Sequence, residues 1–270
     1  MEVRDFCLHV VRSEGLDAKL AAPRGRLSDR RPGPALRAAR PGRSEDLRIV
    51  PVSRAKVPGI EGMSDPAQRR RIVHAMANHE LQAVELFAWA LLAFPGAPAE
   101  FRRGLLRVLR EEQMHVRLYL RRLESLGLRL GTYPVSGYFW NKVRRLETPA
   151  QFVCAMSLTF ENANLDHTID YARAAREARD EPTARILERI HRDEVGHVRF
   201  GLEWLERFDR AERREPGHWS AAEAYLRHVT WPLRPAIARG RVFHAEGRRA
   251  AGLDEAFIRL LESTGREAGP

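Results

Sequence analysis

Four glutamates set on otherwise apolar helix faces constrain this chain more than any other feature. Glu112 and Glu194 each open a Glu-x-x-His tetrad, closed by His115 and His197, and each follows a lone glutamate, Glu80 by 32 residues and Glu161 by 33. Residues three apart share a helix face, so each tetrad aims a carboxylate and an imidazole the same way. Glu112 shares its face with Leu105, Val108, His115 and Tyr119, and Glu194 shares its own with Leu187, Ile190, His197 and Gly201. A carboxylate on such a stripe is costly to bury unless it is paired or bound to a metal. Four carboxylates and two imidazoles converging inside a bundle of four helices describe a dinuclear metal site.

The intervals have a mechanical origin. Antiparallel helices bring residues to one height when the legs on either side of the turn match, and Pro95-Gly96-Ala97-Pro98 is a strong turn signal. Glu80 lies 15 residues before Pro95 and Glu112 lies 14 after Pro98, which puts each roughly 20 Å from the turn at 1.5 Å per residue. The second pair is less even. Its clearest breaker, Asp180-Glu181-Pro182, begins 19 residues after Glu161 and ends 12 before Glu194, so the third helix is expected to end some residues before Asp180.

Glu-x-x-His also arises by chance here. Glu188 to His191 and Glu215 to His218 fit the pattern, but Pro216 opposes a continuing helix and Glu188 shares its face with Arg185, Arg192 and Arg199, as on a solvated surface. Glu80 has a rival in Glu85, about 140° round the same helix. Val73, Met76, Val84, Phe87 and Leu91 flank Glu80, while Leu81, Ala88 and Leu92 flank Glu85. The 27-residue interval from Glu85 to Glu112 breaks the match to 33, so Glu80 is taken as the ligand and Glu85 as a supporting or interhelix contact.

The chain has 270 residues, 44% of them hydrophobic, enough to bury a core in one domain with extensions. No apolar run approaches a membrane span, and Phe6 to Val11 is too short for a signal peptide; the expected compartment is the cytoplasm. Cys7 and Cys154 form no spaced cluster, and a small buried thiol is the expectation for each. The net charge of +10 invites a nucleic-acid partner. Its distribution argues against one, with +5 over residues 1–63, +2 over 64–226 and +3 over 227–270. Of the 46 basic residues only Lys19, Lys56 and Lys142 are lysines, a skew that coding bias can produce; RNA binding by the basic flanks stays open.

Three regions follow. Residues 1–63 hold a short helix around Phe6, Val10 and Val11, then a Pro-, Gly- and Arg-rich arm from about Ala21 to Gly62 that is ordered only if it lies along the bundle. Residues 64–210 hold the bundle. Ser64-Asp65-Pro66 starts a helix from about Ala67 to Phe94; the second spans about Ala99 to Leu126, the third starts near Thr148-Pro149, and the fourth spans about Pro182 to Phe208. Gly131 to Gly137 must return the chain along the bundle. Residues 211–270 form a C-terminal extension, helical over Ala221 to Arg249 with a break at Pro232 and Pro235, and again over Asp254 to Ser263.

The runs Asn78-His79-Glu80-Leu81-Gln82-Ala83-Val84-Glu85-Leu86, Glu111-Glu112-Gln113-Met114-His115, Phe160-Glu161-Asn162-Ala163-Asn164-Leu165-Asp166 and Arg192-Asp193-Glu194-Val195-Gly196-His197-Val198 resemble a bacterial family of ferritin-like proteins of unknown function. That family is in turn similar to the tRNA hydroxylase that acts on methylthio-isopentenyl-adenosine. The resemblance covers most of the chain, including the arm and Arg248-Arg249-Ala250-Ala251-Gly252-Leu253. It implies an all-α, ferritin-like four-helix bundle with an extended arm and extra C-terminal helices. It also places Glu80, Glu112, His115, Glu161, Glu194 and His197 at the ligand positions, and the Glu-Leu-x-Ala setting favours Glu80 over Glu85. The tRNA substrate does not transfer, because similarity outside the ligand motifs is weak.

Oxygen and imidazole donors suit iron or manganese better than zinc thiolate chemistry, so the expected cofactor is two iron ions, two manganese ions or one of each. With iron, the expected reaction is O2-dependent hydroxylation of a small molecule or a tRNA base, served by an electron donor. The alternatives are ferroxidase or iron storage, which extensions of about 60 residues at both ends would burden in a shell subunit, and a binding protein that keeps its metal for structure. A homo-oligomer stays open and no membrane partner is expected. Glu111 and Asp193 are candidates to support the ligand imidazoles, and Tyr119, His74 and His79 read as packing residues.

Overall fold

The computed structural model describes residues 1–23, 25–213 and 219–264, which are predominantly helical. The chain divides into two compact units, residues 1–145 and 146–270. Among the described residues no helix is long and apolar enough to cross a membrane.

In the first unit α1 (Val3–Arg12) and α2 (Leu16–Leu20) precede the arm, and α3 (Pro66–Ala93) and α4 (Ala99–Ser125) form an antiparallel hairpin. The Asp65 side chain accepts a hydrogen bond from the Gln68 amide and Pro66 sits in the first turn, so the start of α3 is satisfied locally. From Leu81 to Ala93 every residue of α3 is buried. A helix apolar all round needs cover on every side, and the arm supplies part of it. Leu36 N–H donates to Leu92 O at 2.9 Å and Trp89 Nε1 to Ala38 O at 3.2 Å. Gly42 N–H reaches Val11 O at 2.8 Å; a Cβ at Gly42 would collide with the Arg12 carbonyl. Arg102, buried in α4, joins its guanidinium to Asp29 at 2.7 Å and to the carbonyls of Leu91 and Phe94. The arm is thus ordered against α3 and α4. Its β1 (Ile49–Val50) pairs in parallel with β2 (Val135–Ser136), ahead of α5 (Tyr138–Val143).

In the second unit Thr148 and Gln151 form a reciprocal capping box at the start of α6 (Pro149–Ala155). The helix widens into a π segment over Met156–Glu161 and resumes as α7 (Asn162–Glu177). A turn with Arg179 at φ 57° leads to α8 (Glu181–Arg213), where Asp180 accepts from the Thr183 amide at 3.1 Å. Then come α9 (Ala221–His228), α10 (Ala245–Ala251) and α11 (Glu255–Ser263).

The two hairpins arise where the spacing placed them, and the third helix ends before Asp180. Three local readings change. The short helix α2 carries no clear periodic signal. The fourth helix runs on to Arg213 rather than stopping at Phe208. The expected helix over Ala221 to Arg249 stops at His228, and residues 229–244 are irregular apart from one turn of 3-10 helix over Pro235–Ile237. Asp166 explains that irregular path. Its carboxylate accepts from the Gly240 and His244 amides, both at 2.8 Å, and pairs with fully buried Arg248 at 2.6 Å. The Glu215 to His218 match lies outside the described residues.

Candidate metal centre

Each unit buries one Glu, Glu, His triad. In the first, His115 Nδ1 lies 3.3 Å from Glu80 Oε2 and 3.5 Å from Glu112 Oε2. In the second, His197 Nδ1 lies 3.8 Å from Glu161 Oε1 and 3.3 Å from Glu194 Oε2. Within each triad one donor atom from every member lies within 4.8 Å of the others, and all six residues are buried. In both triads the imidazole turns the same nitrogen, Nδ1, toward two carboxylate oxygens. The tetrad follows from helix pitch, since Glu112 and His115, like Glu194 and His197, are one turn apart on one face. Glu80 reaches the first through the α3–α4 hairpin, and Glu161 closes the π segment of the second.

Glu80 is held against its ionised form. Burial, followed by the charge of Glu112, pushes the Glu80 carboxyl up to about 8. Glu194 Oε1 is held by Asn164 Nδ2 at 2.7 Å, whereas Oε2 accepts no hydrogen bond among the described residues. A buried carboxylate oxygen in that position fits a cation.

Glu85 belongs to a different structure. It is fully buried and receives Lys19 Nζ at 3.1 Å, Arg43 Nη2 at 2.8 Å and Trp140 Nε1 at 2.9 Å. Arg43 also donates to Asn78 Oδ1 at 2.8 Å. Two cations from the first 45 residues therefore clamp the arm onto α3 through the rival glutamate, and sequence spacing could not show their approach. Of the expected supporting residues, Asp193 accepts from Arg189 Nε at 2.9 Å on its own helix and Glu111 is half-buried. Tyr119 is buried with its hydroxyl 3.7 Å from Met76 Sδ. His74 accepts the Gly131 amide at 2.9 Å and burial lowers its pKa to about 4, while His79 packs on Phe139. Glu188 pairs with Arg176 on the surface. Cys7 and Cys154 are buried free thiols whose pKa burial raises.

Sequence reasoning missed Asn164, which fixes Glu194, and it missed the π segment. Ser157 in that segment packs where Gly201 of α8 leaves room; a Cβ at Gly201 would run into the Ser157 side chain. Thr159 Oγ1 bonds the Cys154 carbonyl and the Tyr225 hydroxyl, both at 2.7 Å. Such wide turns often sit at functional positions. The one available signal was Gly201 itself, a glycine inside a long helical pattern.

Fold and site together define a helical protein with buried carboxylate and imidazole groups that could hold metal. The chain belongs to the family described as Protein of unknown function (DUF455), whose model matches residues 10–259. It is 29% identical over 140 residues to an uncharacterized protein of Haemophilus influenzae, with 49% of each chain covered. The chain thus spans about half the length of that relative. No solved structure matches it.

Proposed function

We propose that Glu80, Glu112, His115, Glu161, Glu194 and His197 hold two iron or manganese ions in a dinuclear centre, within a ferritin-like four-helix arrangement, and that the protein is an O2-dependent hydroxylase. The observation that carries this reading is the repetition of one donor set, two buried carboxylates around an imidazole Nδ1. Oxygen and imidazole donors suit iron and manganese, and two divalent cations offset four carboxylates. When bound, a reduced iron pair supplies the reducing equivalents that O2 activation at an unactivated carbon requires.

The chain's own residues fix the conditions. Val108 and Tyr119 on α4 and Ile190 on α8 are buried on the faces that carry the donors and exclude water. Asn164 Nδ2 fixes one oxygen of Glu194 and leaves the other directed at His197. Burial and the charge of Glu112 raise the Glu80 pKa, and a bound cation would favour its carboxylate form. The substrate class is a small molecule or a tRNA base, with a separate electron donor.

Metal analysis of the purified protein tests the reading, with about two iron or manganese ions per chain expected and Glu112→Ala expected to lose them. O2 uptake by the anaerobically reduced protein is the second measurement. A folded protein with no metal sinks the reading. Tight metal without O2 uptake leaves a structural ion, and a large cage that mineralises iron makes the protein a ferroxidase.

A further inference from the structure

The near-neutral sum over the bundle hides a separation of charge on α4. Arg103, Arg107, Arg110, Arg117 and Arg121 fall at helical intervals of four, three, seven and four, with Met114 in the remaining position of the stripe. At 100° per residue they occupy the side of α4 away from Glu112 and His115. From Arg103 to Arg121 the stripe is about 27 Å long. Arg107, Arg110 and Arg121 are exposed and make no ion pair with any described residue, and Arg103 meets only Glu100, at 3.1 Å.

The arm widens this surface. Arg117 donates to Leu20 O, Gln113 Nε2 to Lys19 O, and Arg102 pairs with Asp29, so Lys19, Leu20 and Asp29 lie along one flank of the stripe in the antiparallel sense. Arg26 and Arg30, on either side of Asp29, are exposed, and Asp29 itself is taken up by Arg102. The arm is held chiefly by backbone groups and by Arg43 and Arg102; Arg37 stacks over Trp89 and Phe94, and Arg26, Arg30, Arg31 and Arg40 are exposed.

A charged helix face ordinarily mixes signs, and α8 of this chain does so. It carries as many arginines as α4, seven, yet Arg185, Arg189 and Arg210 pair with Glu181, Asp193 and Glu206 one turn away. Arginine bias therefore does not produce the α4 stripe by itself. Like charges held on a rigid scaffold repel one another, and a polyanion relieves the repulsion. Guanidinium forks match phosphate oxygens in pairs. An anionic membrane fits less well, because binding in an interface needs an apolar face and no strongly exposed large apolar residue lies on α4 or on residues 19–40.

We infer that the α4 stripe with the flanking arm binds the phosphate backbone of nucleic acid. The surface lies away from the Glu112 side of α4, so the inference is independent of the metal reading. It concerns docking and not a reacting base.

Fluorescence anisotropy with a labelled 20-base-pair RNA duplex, the same-sequence DNA duplex and the single RNA strand tests it between 50 and 200 mM KCl. Binding should weaken steeply with salt, and the three probes decide which nucleic acid is preferred. Arg107→Gln, Arg110→Gln and Arg121→Gln together should weaken binding about tenfold or more at 100 mM KCl and lower the salt slope by about 2 to 3, near 0.9 per lost contact. A control removing equal charge elsewhere, Arg192→Gln with Arg213→Gln and Arg259→Gln, should keep both affinity and slope within about twofold. All six positions are exposed, and matching circular dichroism melts will show that the variants fold. No binding to any probe at 50 mM KCl overturns the inference, as does an equal loss in both triple variants. Binding to phosphatidylserine vesicles without binding to nucleic acid also overturns it.

Discussion

At the scale of single residues, two glutamates five positions apart in α3 have opposite fates. Glu80 lies beside Glu112 and His115, and Glu85 lies between Lys19 and Arg43. Removing one partner from a buried ion pair strands the other charge, at a cost of about 3 to 5 kcal/mol. Glu85→Ala should lower the unfolding free energy by about that much in urea titrations, with metal content of the folded fraction unchanged. Glu80→Gln should do the reverse, keeping the fold and losing metal. His74 gives a pH signature. Its Nε2 must stay unprotonated to accept the Gly131 amide, and its pKa of about 4 is below the ordinary 6.5. A depressed histidine leaves stability whole above 6.5 and drains it as pH falls toward 4, because the unfolded chain takes up the proton first. The drop should be about 3 kcal/mol, and His74→Gln, which keeps an acceptor, should flatten it in melts between pH 4 and 7.

At the scale of elements, the π segment packs closely against a residue outside it. Gly201 on α8 admits Ser157, and the widened turn sets the position of Glu161. Gly201→Ala should cost about 1 to 3 kcal/mol by overpacking and weaken metal binding. Adding Ser157→Gly should restore most of both, as read by thermal melts and metal titration. A Gly201→Ala protein with unaltered stability and metal would show that this close approach does not hold the segment. The long helices and their turns were legible beforehand because capping residues, prolines and the apolar period act within a few positions. The π segment was not, since the glycine that admits Ser157 sits on another helix 44 residues away.

At the scale of the whole chain, the same distinction decides what sequence could show. The burial of Glu80, Glu112, His115, Glu161, Glu194 and His197 was legible because a helix converts spacing into direction; Glu85 was ambiguous because Lys19 and Arg43 approach from an arm whose path has no period. The break after His228 was likewise set from a distance, by Asp166 capturing Gly240, His244 and Arg248. Pro232 and Pro235 marked where helix is disfavoured without telling how far the irregular stretch extends.

The two buried thiols give each unit its own clock. Cys7 lies in the first unit and Cys154 in the second, both fully sealed from solvent. An alkylating reagent can modify either only after its surroundings open, so the two labelling rates, followed by peptide mass spectrometry, should time the opening of each half separately. Equal rates under mild denaturant would mean that the halves come apart as one cooperative body. Unequal rates would mean that one outlasts the other, without a mutation having been made.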